Sequence, residues 1–202
     1  MTAGIRHIAI DMQRLFAEET AWHTPAVTEI LPNVLTLARA FPEQTIFAKF
    51  MLPHRASDAS GRWRDYYRRW SMLTTEAIDP AIQDLVAPLK ELASPGSIVE
   101  KQGYSVFSAA GFSERLAAEG VDTLIFSGVE TDVCVLASVL DAIDEGFDVA
   151  VAVDAVGSSS PQAHRAMLDH IFPRLPEQLR LSPTADLLDA RFIRQGRVDT
   201  SP

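Results

Sequence analysis

The chain has 202 residues, 47% of them hydrophobic and 22% charged, enough for one domain with a sizeable core and no need of disulfide staples. Its formal net charge of -9 excludes a non-specific nucleic-acid binder, and its single cysteine excludes an internal disulfide or a multi-thiolate zinc site. No run approaches the roughly 18 apolar residues of a membrane span, and no apolar leader precedes "IRHIAI", so the expected location is the cytoplasm, with neither membrane nor nucleic acid as a partner.

Apolar, β-branched runs alternate with helical patterns along the chain. "HIAI" at 7–10 reads as a buried strand ending at Asp11. A helix follows over 27–41, with Pro32 in an early turn or at a kink. "TIFAKF" at 45–50 is the second strand. Residues 51–75 lack a clean period and carry "GRWRDYYRRW". So long a segment with so many rings is expected to be ordered, as a lid or subunit contact rather than a base-stacking surface. A helix is expected over 80–92, with Pro80 in its first turn. The third strand lies at 97–101, followed by a helix over 112–120 with Ser113 as its cap and Gly120 as its stop. The fourth strand is expected at 122–128, a helix at 131–145 ending before Gly146, and the fifth strand at 148–155. Ser160 caps and Pro161 opens a helix over 160–172, before a sixth strand near 178–182 and a short helix at 184–190. Residues 191–202 read as a loose or partner-docked tail of the single domain 1–202. Strand-helix alternation with near-continuous apolar strands predicts an α/β fold, a parallel sheet covered on both faces.

Ligands of such sheets bind beyond the carboxyl ends of the strands. Three reactive side chains fall there: Asp11 after the first strand, Lys101 after the third and Cys134 after the fourth. With Thr131 as cap, Cys134 lies in the first helical turn, where free amides and the helix dipole favour a thiolate and lower the thiol pKa. The same amides, chiefly those of Val133 and Cys134, are placed to hold an oxyanion. Asp11 beside the thiol is a general base, and Lys101 beside Asp11 would keep it ionised. Each residue also has a plainer reading. A lone cysteine is ordinarily a small buried hydrophobe, Asp11 can cap a turn, and Lys101 can pair with Glu100 in solvent. The coincidence of all three at strand ends favours chemistry.

The segments "AIDMQRLF", "EKQGYSVFSAAGF" and "LIFSGVETDVCVLASVLDAIDEGFDVAVAVDAVGSSS" together resemble the isochorismatase-like cysteine hydrolase superfamily, over about residues 5–175. Its members include nicotinamidases and N-carbamoylsarcosine amidase. The resemblance implies a three-layer α/β/α fold with a six-stranded parallel sheet in Rossmann-like order. It implies a catalytic triad of Asp11, Lys101 and Cys134, and a cis peptide between Val129 and Glu130 at the oxyanion pocket. The implied activity is a cysteine hydrolase that cleaves a C–N bond of a small amide or ureido substrate through a thioester. Relatives assemble as dimers or tetramers, which implies a homo-oligomer; no cofactor is implied.

Departures from the pattern narrow the activity. Nicotinamidases hold a metal with an Asp-x-His pair and a further His after the second strand, whereas this chain reads "KFMLPHRASDASGRW" there. His54 and Asp58 remain as candidate ligands, and no metal is expected. True isochorismatases cleave a vinyl ether without a cysteine nucleophile, so Cys134 favours C–N cleavage. Two alternatives stay open: an isochorismatase-type ether hydrolase, and an inactive binding or scaffold member of the fold. A haloacid-dehalogenase-like phosphohydrolase would need a second aspartate at position 13, which is Gln. Phe16, Trp63, Tyr66, Tyr67, Trp70 and Tyr104 are the expected substrate walls, each with satellite core or dimer contact as the plainer reading. His164 and His170 read as surface residues of one helix.

Overall fold

The computed structural model describes residues 4–189, and the expected tail at 191–202 lies outside them. Six strands form one parallel sheet: β1 (Gly4–Ile10), β2 (Thr45–Phe50), β3 (Ile98–Lys101), β4 (Val121–Val129), β5 (Asp148–Gly157) and β6 (Leu179–Ser182). Their order, β3-β2-β1-β4-β5-β6, puts the reversal of winding between β1 and β4. β4 reads VDTLIFSGV and buries every residue except Asp122, as a central strand covered on both faces must. Helices flank the sheet and give the expected three layers. α2 (Ala26–Ala40) packs across β1, β4 and β5, while α5 (Phe112–Ala118) lies against β4 and α6 (Leu136–Asp144) against β5. Val27, Ile30, Val34, Leu37 and Ala38 form the buried stripe of α2, and Pro32 sits inside that helix on its exposed side.

The carboxyl ends of β1 and β4 meet closely. Gly128, opposite Ile10, has φ 107°, and a Cβ there would fall 2.0 Å from the Ile10 carbonyl oxygen. Only glycine satisfies both the angle and the contact.

One polar side chain crosses the core. His7 on β1 is fully buried and meets Thr45 Oγ1 of β2 through Nδ1 at 3.1 Å and Ser127 Oγ of β4 through Nε2 at 2.8 Å. The Thr45 hydroxyl donates to the Phe41 carbonyl at 2.8 Å, so it accepts from Nδ1–H, and Ser127 donates to Nε2. Both ring nitrogens are thus satisfied in the neutral form, and burial lowers the His7 pKa from 6.5 to about 3. Between those values the unfolded chain binds a proton that the folded chain does not. The His7 contribution to stability is therefore complete above about pH 6.5 and is lost as pH falls, by roughly 2–3 kcal/mol at about pH 4.5. Urea unfolding at neutral and acid pH should show this loss in the wild type and a flatter profile in His7→Asn. An equal loss in both proteins would remove His7 as its source.

Irregular pieces replace several expected helices. Residues 80–92 are not one helix. A 3-10 turn, Pro80–Gln83, and α4 (Ala87–Lys90) are separated by extended residues whose Leu85 bridges Gln13. Pro88 accounts for the break, because its ring excludes a helical carbonyl at Asp84. A short helix absent from the sequence reading, α1 (Arg14–Ala17), follows Asp11, and residues 51–75 are built around α3 (Trp63–Arg69). Ser113 does not cap α5: Gly111, with φ 76°, precedes the helix, and the Ser113 hydroxyl donates to Glu145. The helix after β4 opens with a wide π-type turn, Thr131–Val135, in which Thr131 makes no cap but pairs with His164 Nδ1 at 2.9 Å. Ser160 does cap α7 (Pro161–Ala166), which widens over Met167–Ile171. A last short helix, α8 (Thr184–Leu187), packs on β5.

Candidate active site

Asp11 is the first residue beyond β1. Its N–H donates to the Ala48 carbonyl at 3.0 Å, and its φ of 53° turns the chain out of the sheet, a left-handed conformation that aspartate tolerates better than most residues. The buried Gln13 side chain secures this turn. It accepts from the Phe50 amide at 2.7 Å and donates to the carbonyls of Phe50 and Gln83 at 3.1 and 2.7 Å. Gln13, used in the sequence only to exclude phosphohydrolase chemistry, thus ties the ends of β1 and β2 together.

Lys101 ends β3, two strands from β1, a gap of roughly 9–10 Å at ordinary strand spacing. Its side chain crosses the end of β2 beside Phe50, whose ring centre lies 4.8 Å from Nζ, and meets Asp11 Oδ2 at 2.9 Å. Nζ also donates to the Gly103 carbonyl at 3.3 Å, and both members of the ion pair are fully buried. Pairing with Glu100 is not the role of Lys101: Glu100 pairs with Lys49 at 3.6 Å.

Cys134 sits in the wide turn after β4, only 6% exposed, beside the same carboxyl. The two groups are close enough to shift each other, yet Asp11 Oδ1 has no hydrogen-bond partner of good geometry among the described residues. Burial raises the Asp11 pKa, against the pull of Lys101. Burial and then the charge of Asp11 push the Cys134 thiol well above its ordinary value, although Lys101 opposes this. The expectation of a thiolate at a helix start is therefore corrected. Desolvation, which raises the pKa, outweighs the few exposed amides of an irregular turn. The Val133 amide, expected at the oxyanion, donates to the Glu130 carbonyl at 3.1 Å, as does Val135. The peptide between Val129 and Glu130 is cis.

A cleft of about 300 Å³ opens over Cys134. Of the six aromatics named from the sequence, Phe16, Tyr66, Trp70 and Tyr104 line it. Trp63 and Tyr67 do not. They pack against Tyr66, at 5.3 and 5.5 Å between ring centres, and line a second cavity of about 470 Å³. Trp22, His23, Phe50, Glu130 and Ser159 complete the first cleft. Trp22 is its hub, with the rings of Phe16, Phe50, Tyr66, Tyr67 and Trp70 between 5.7 and 6.3 Å away.

The isochorismatase domain, as a family, matches residues 7–181, nearly all of the sheet together with Asp11, Lys101 and Cys134. The chain belongs to the isochorismatase family. A probable inactive nicotinamidase of Arabidopsis thaliana is 29% identical over 168 residues, which cover 79% of this chain and 83% of that protein. A maleamate amidohydrolase of Pseudomonas putida is 33% identical over 97 residues, 44% of this chain and 46% of that one, so the matched segment spans under half of that relative. Among solved structures, a cysteine hydrolase from Pseudomonas syringae pv. phaseolicola superposes with a TM-score of 0.76 at 23% identity, covering 96% of this chain and 93% of that one. A likeness at that identity shows the shared fold.

The second cavity of this isochorismatase-family chain contains His54 and Asp58. Both are exposed and engaged locally, His54 with Thr75 at 3.3 Å and Asp58 with the Arg55 amide at 3.0 Å. No group of three or more His, Cys, Asp or Glu among the described residues is arranged to hold a metal ion. His170 is exposed, whereas His164 is half-buried against Thr131. No helix among the described residues is long and apolar enough to cross a membrane.

Proposed function

We propose that this isochorismatase-family protein is a cysteine amidohydrolase that cleaves the C–N bond of a small amide or ureido compound. The observation that carries the reading is the buried Asp11 carboxyl, ion-paired with the Lys101 ammonium and near enough to the Cys134 thiol for each to shift the other, at the base of an aromatic cleft. Asp11 takes the thiol proton as Cys134 Sγ attacks the carbonyl carbon. Because burial raises the thiol pKa, attack and proton transfer are coupled in this reading, with Asp11 as the acceptor. Lys101 balances the charge of Asp11 before and after the transfer. With the Val133 amide engaged elsewhere, the amide of Cys134 is the donor assigned to the developing oxyanion. Asp11 returns the proton to the leaving nitrogen, the C–N bond breaks, and ammonia or an amine departs. Water then attacks the thioester carbon, Asp11 accepts its proton, and the acid leaves as the thiol is restored.

The Arabidopsis relative is called inactive, but here Asp11, Lys101 and Cys134 are all present, with Asp11 and Lys101 paired, which favours a working enzyme over a scaffold. Acid quenching during turnover of small primary amides and ureido compounds, followed by intact-mass measurement, should show a mass gain equal to the acyl group, located on Cys134. Ammonia release at full rate from a Cys134→Ala protein would sink the reading.

A further inference from the structure

The charge around the cleft is one-sided. Phe16, Trp22, Phe50, Tyr66, Trp70 and Tyr104 line it with aromatic rings, side chains whose π-systems attract cations. Among them stands the Glu130 carboxylate, held by the Ser159 amide at 2.8 Å and the Thr24 hydroxyl at 3.4 Å, both on Oε1. This acid is fixed in place next to the turn that carries Cys134. Its field reaches the reacting groups, since Glu130 contributes to raising the pKa of Asp11 and of Tyr66.

No lysine or arginine among the described residues lines the cleft. Lys101 is committed to Asp11 at 2.9 Å, and Arg69 lies 5.2 Å from the Trp70 ring centre without lining the cleft. His23, which does line it, is drawn to Glu19 at 3.8 Å. A substrate carboxylate would lose water here and face Glu130 with no arginine or lysine to pair with. A positive group would find both a carboxylate and aromatic rings. A cleft of about 300 Å³ also sets a small size for the occupant.

We infer that the substrate is a small amide whose acyl part carries a cationic group, such as an ammonium, rather than a carboxylate. The inference rests on the hydrolase reading above and adds a substrate class to it.

The chain has three tryptophans, and Trp22 and Trp70 line the cleft, so their fluorescence reports occupancy. The probes are betaine amide, its uncharged carbon isostere tert-butylacetamide, and the anionic succinamate, each titrated into Cys134→Ala protein. Betaine amide should bind about tenfold more tightly than its isostere, with succinamate weakest. Glu130→Gln in the same background should bring the ratio between the first two toward one, and Trp70→Leu should lower it independently. Equal binding of the two isosteres, or tightest binding of succinamate, overturns the inference. Ammonia release by the wild type from the same amides separates the two claims. Cation-selective binding with no release from any amide removes the hydrolase reading and keeps the class. Release chiefly from succinamate removes the class and keeps the hydrolase.

Discussion

Replacing Cys134 by alanine should lower the rate of amide hydrolysis by about a thousandfold or more, while the protein stays folded. The side chain is small and buried, so losing its sulfur costs on the order of 1 kcal/mol, within the range of ordinary core substitutions. On the proposed mechanism its loss removes the atom that would form the thioester, and no other thiol among the described residues lines the cleft. Asp11→Asn should be nearly as damaging. Burial raises the thiol pKa, so attack depends on a base to take the proton. The pH profile carries the same signature. Activity requires Asp11 ionised, and burial raises its pKa, so kcat/KM should rise with pH through a limb lying above the usual carboxylate range. That limb belongs to the Asp11–Cys134 pair rather than to either residue. Cleavage of a vinyl ether that survives in Cys134→Ala would instead support the isochorismatase-type ether hydrolase.

Lys101→Met should destabilise the protein by about 3–5 kcal/mol, because it strands a buried carboxylate. Asp11 Oδ1 already lacks a hydrogen bond among the described residues, and the variant would strip Oδ2 of its ammonium as well. The stranded group escapes by keeping a proton, so its folded pKa rises further above its unfolded value. Its penalty therefore grows as pH rises, and the variant should be worse at pH 8 than at pH 5. Adding Asp11→Asn should recover most of the loss, since a neutral amide beside a methionine leaves no buried charge. Urea unfolding of the two single variants and the double variant closes the cycle. Additive losses would show that the two side chains do not depend on each other.

The sequence carried the sheet well, and for a physical reason. Runs such as LIFSG and VAVAV have no polar face, so they fit only strands covered on both sides, and their alternation with helices limits the topology to a parallel sheet. Asp11, Lys101 and Cys134 were legible because strand ends are where such sheets bind ligands. The reach of Lys101 was not legible, since the path across β2 depends on the slot beside Phe50, a three-dimensional contact. Nor was the direction of the thiol's pKa shift: position in a first turn argues for lowering, while enclosure, which a sequence does not display, argues for raising and is the larger effect. Trp22 was passed over because TAWHT shows neither helical nor strand periodicity, although a tryptophan in so short a connection is itself a signal. Phe50 was read as core from its strand, and Glu130 only as a flank of the Val129 peptide. What turned both into walls of the cleft was their place at the ends of β2 and β4.

The fit of Gly128 against the Ile10 carbonyl has a consequence for how this scaffold can change. The strand ends that lead to the acid and the sulfur are held main chain against main chain, in the middle of the sheet. Most rings that line the cleft come instead from the rim, around Trp22, along α3 and at Tyr104. Recognition and bond-breaking are thus mechanically uncoupled, and rim residues are free to be exchanged for a new acyl group while the reacting atoms keep their register.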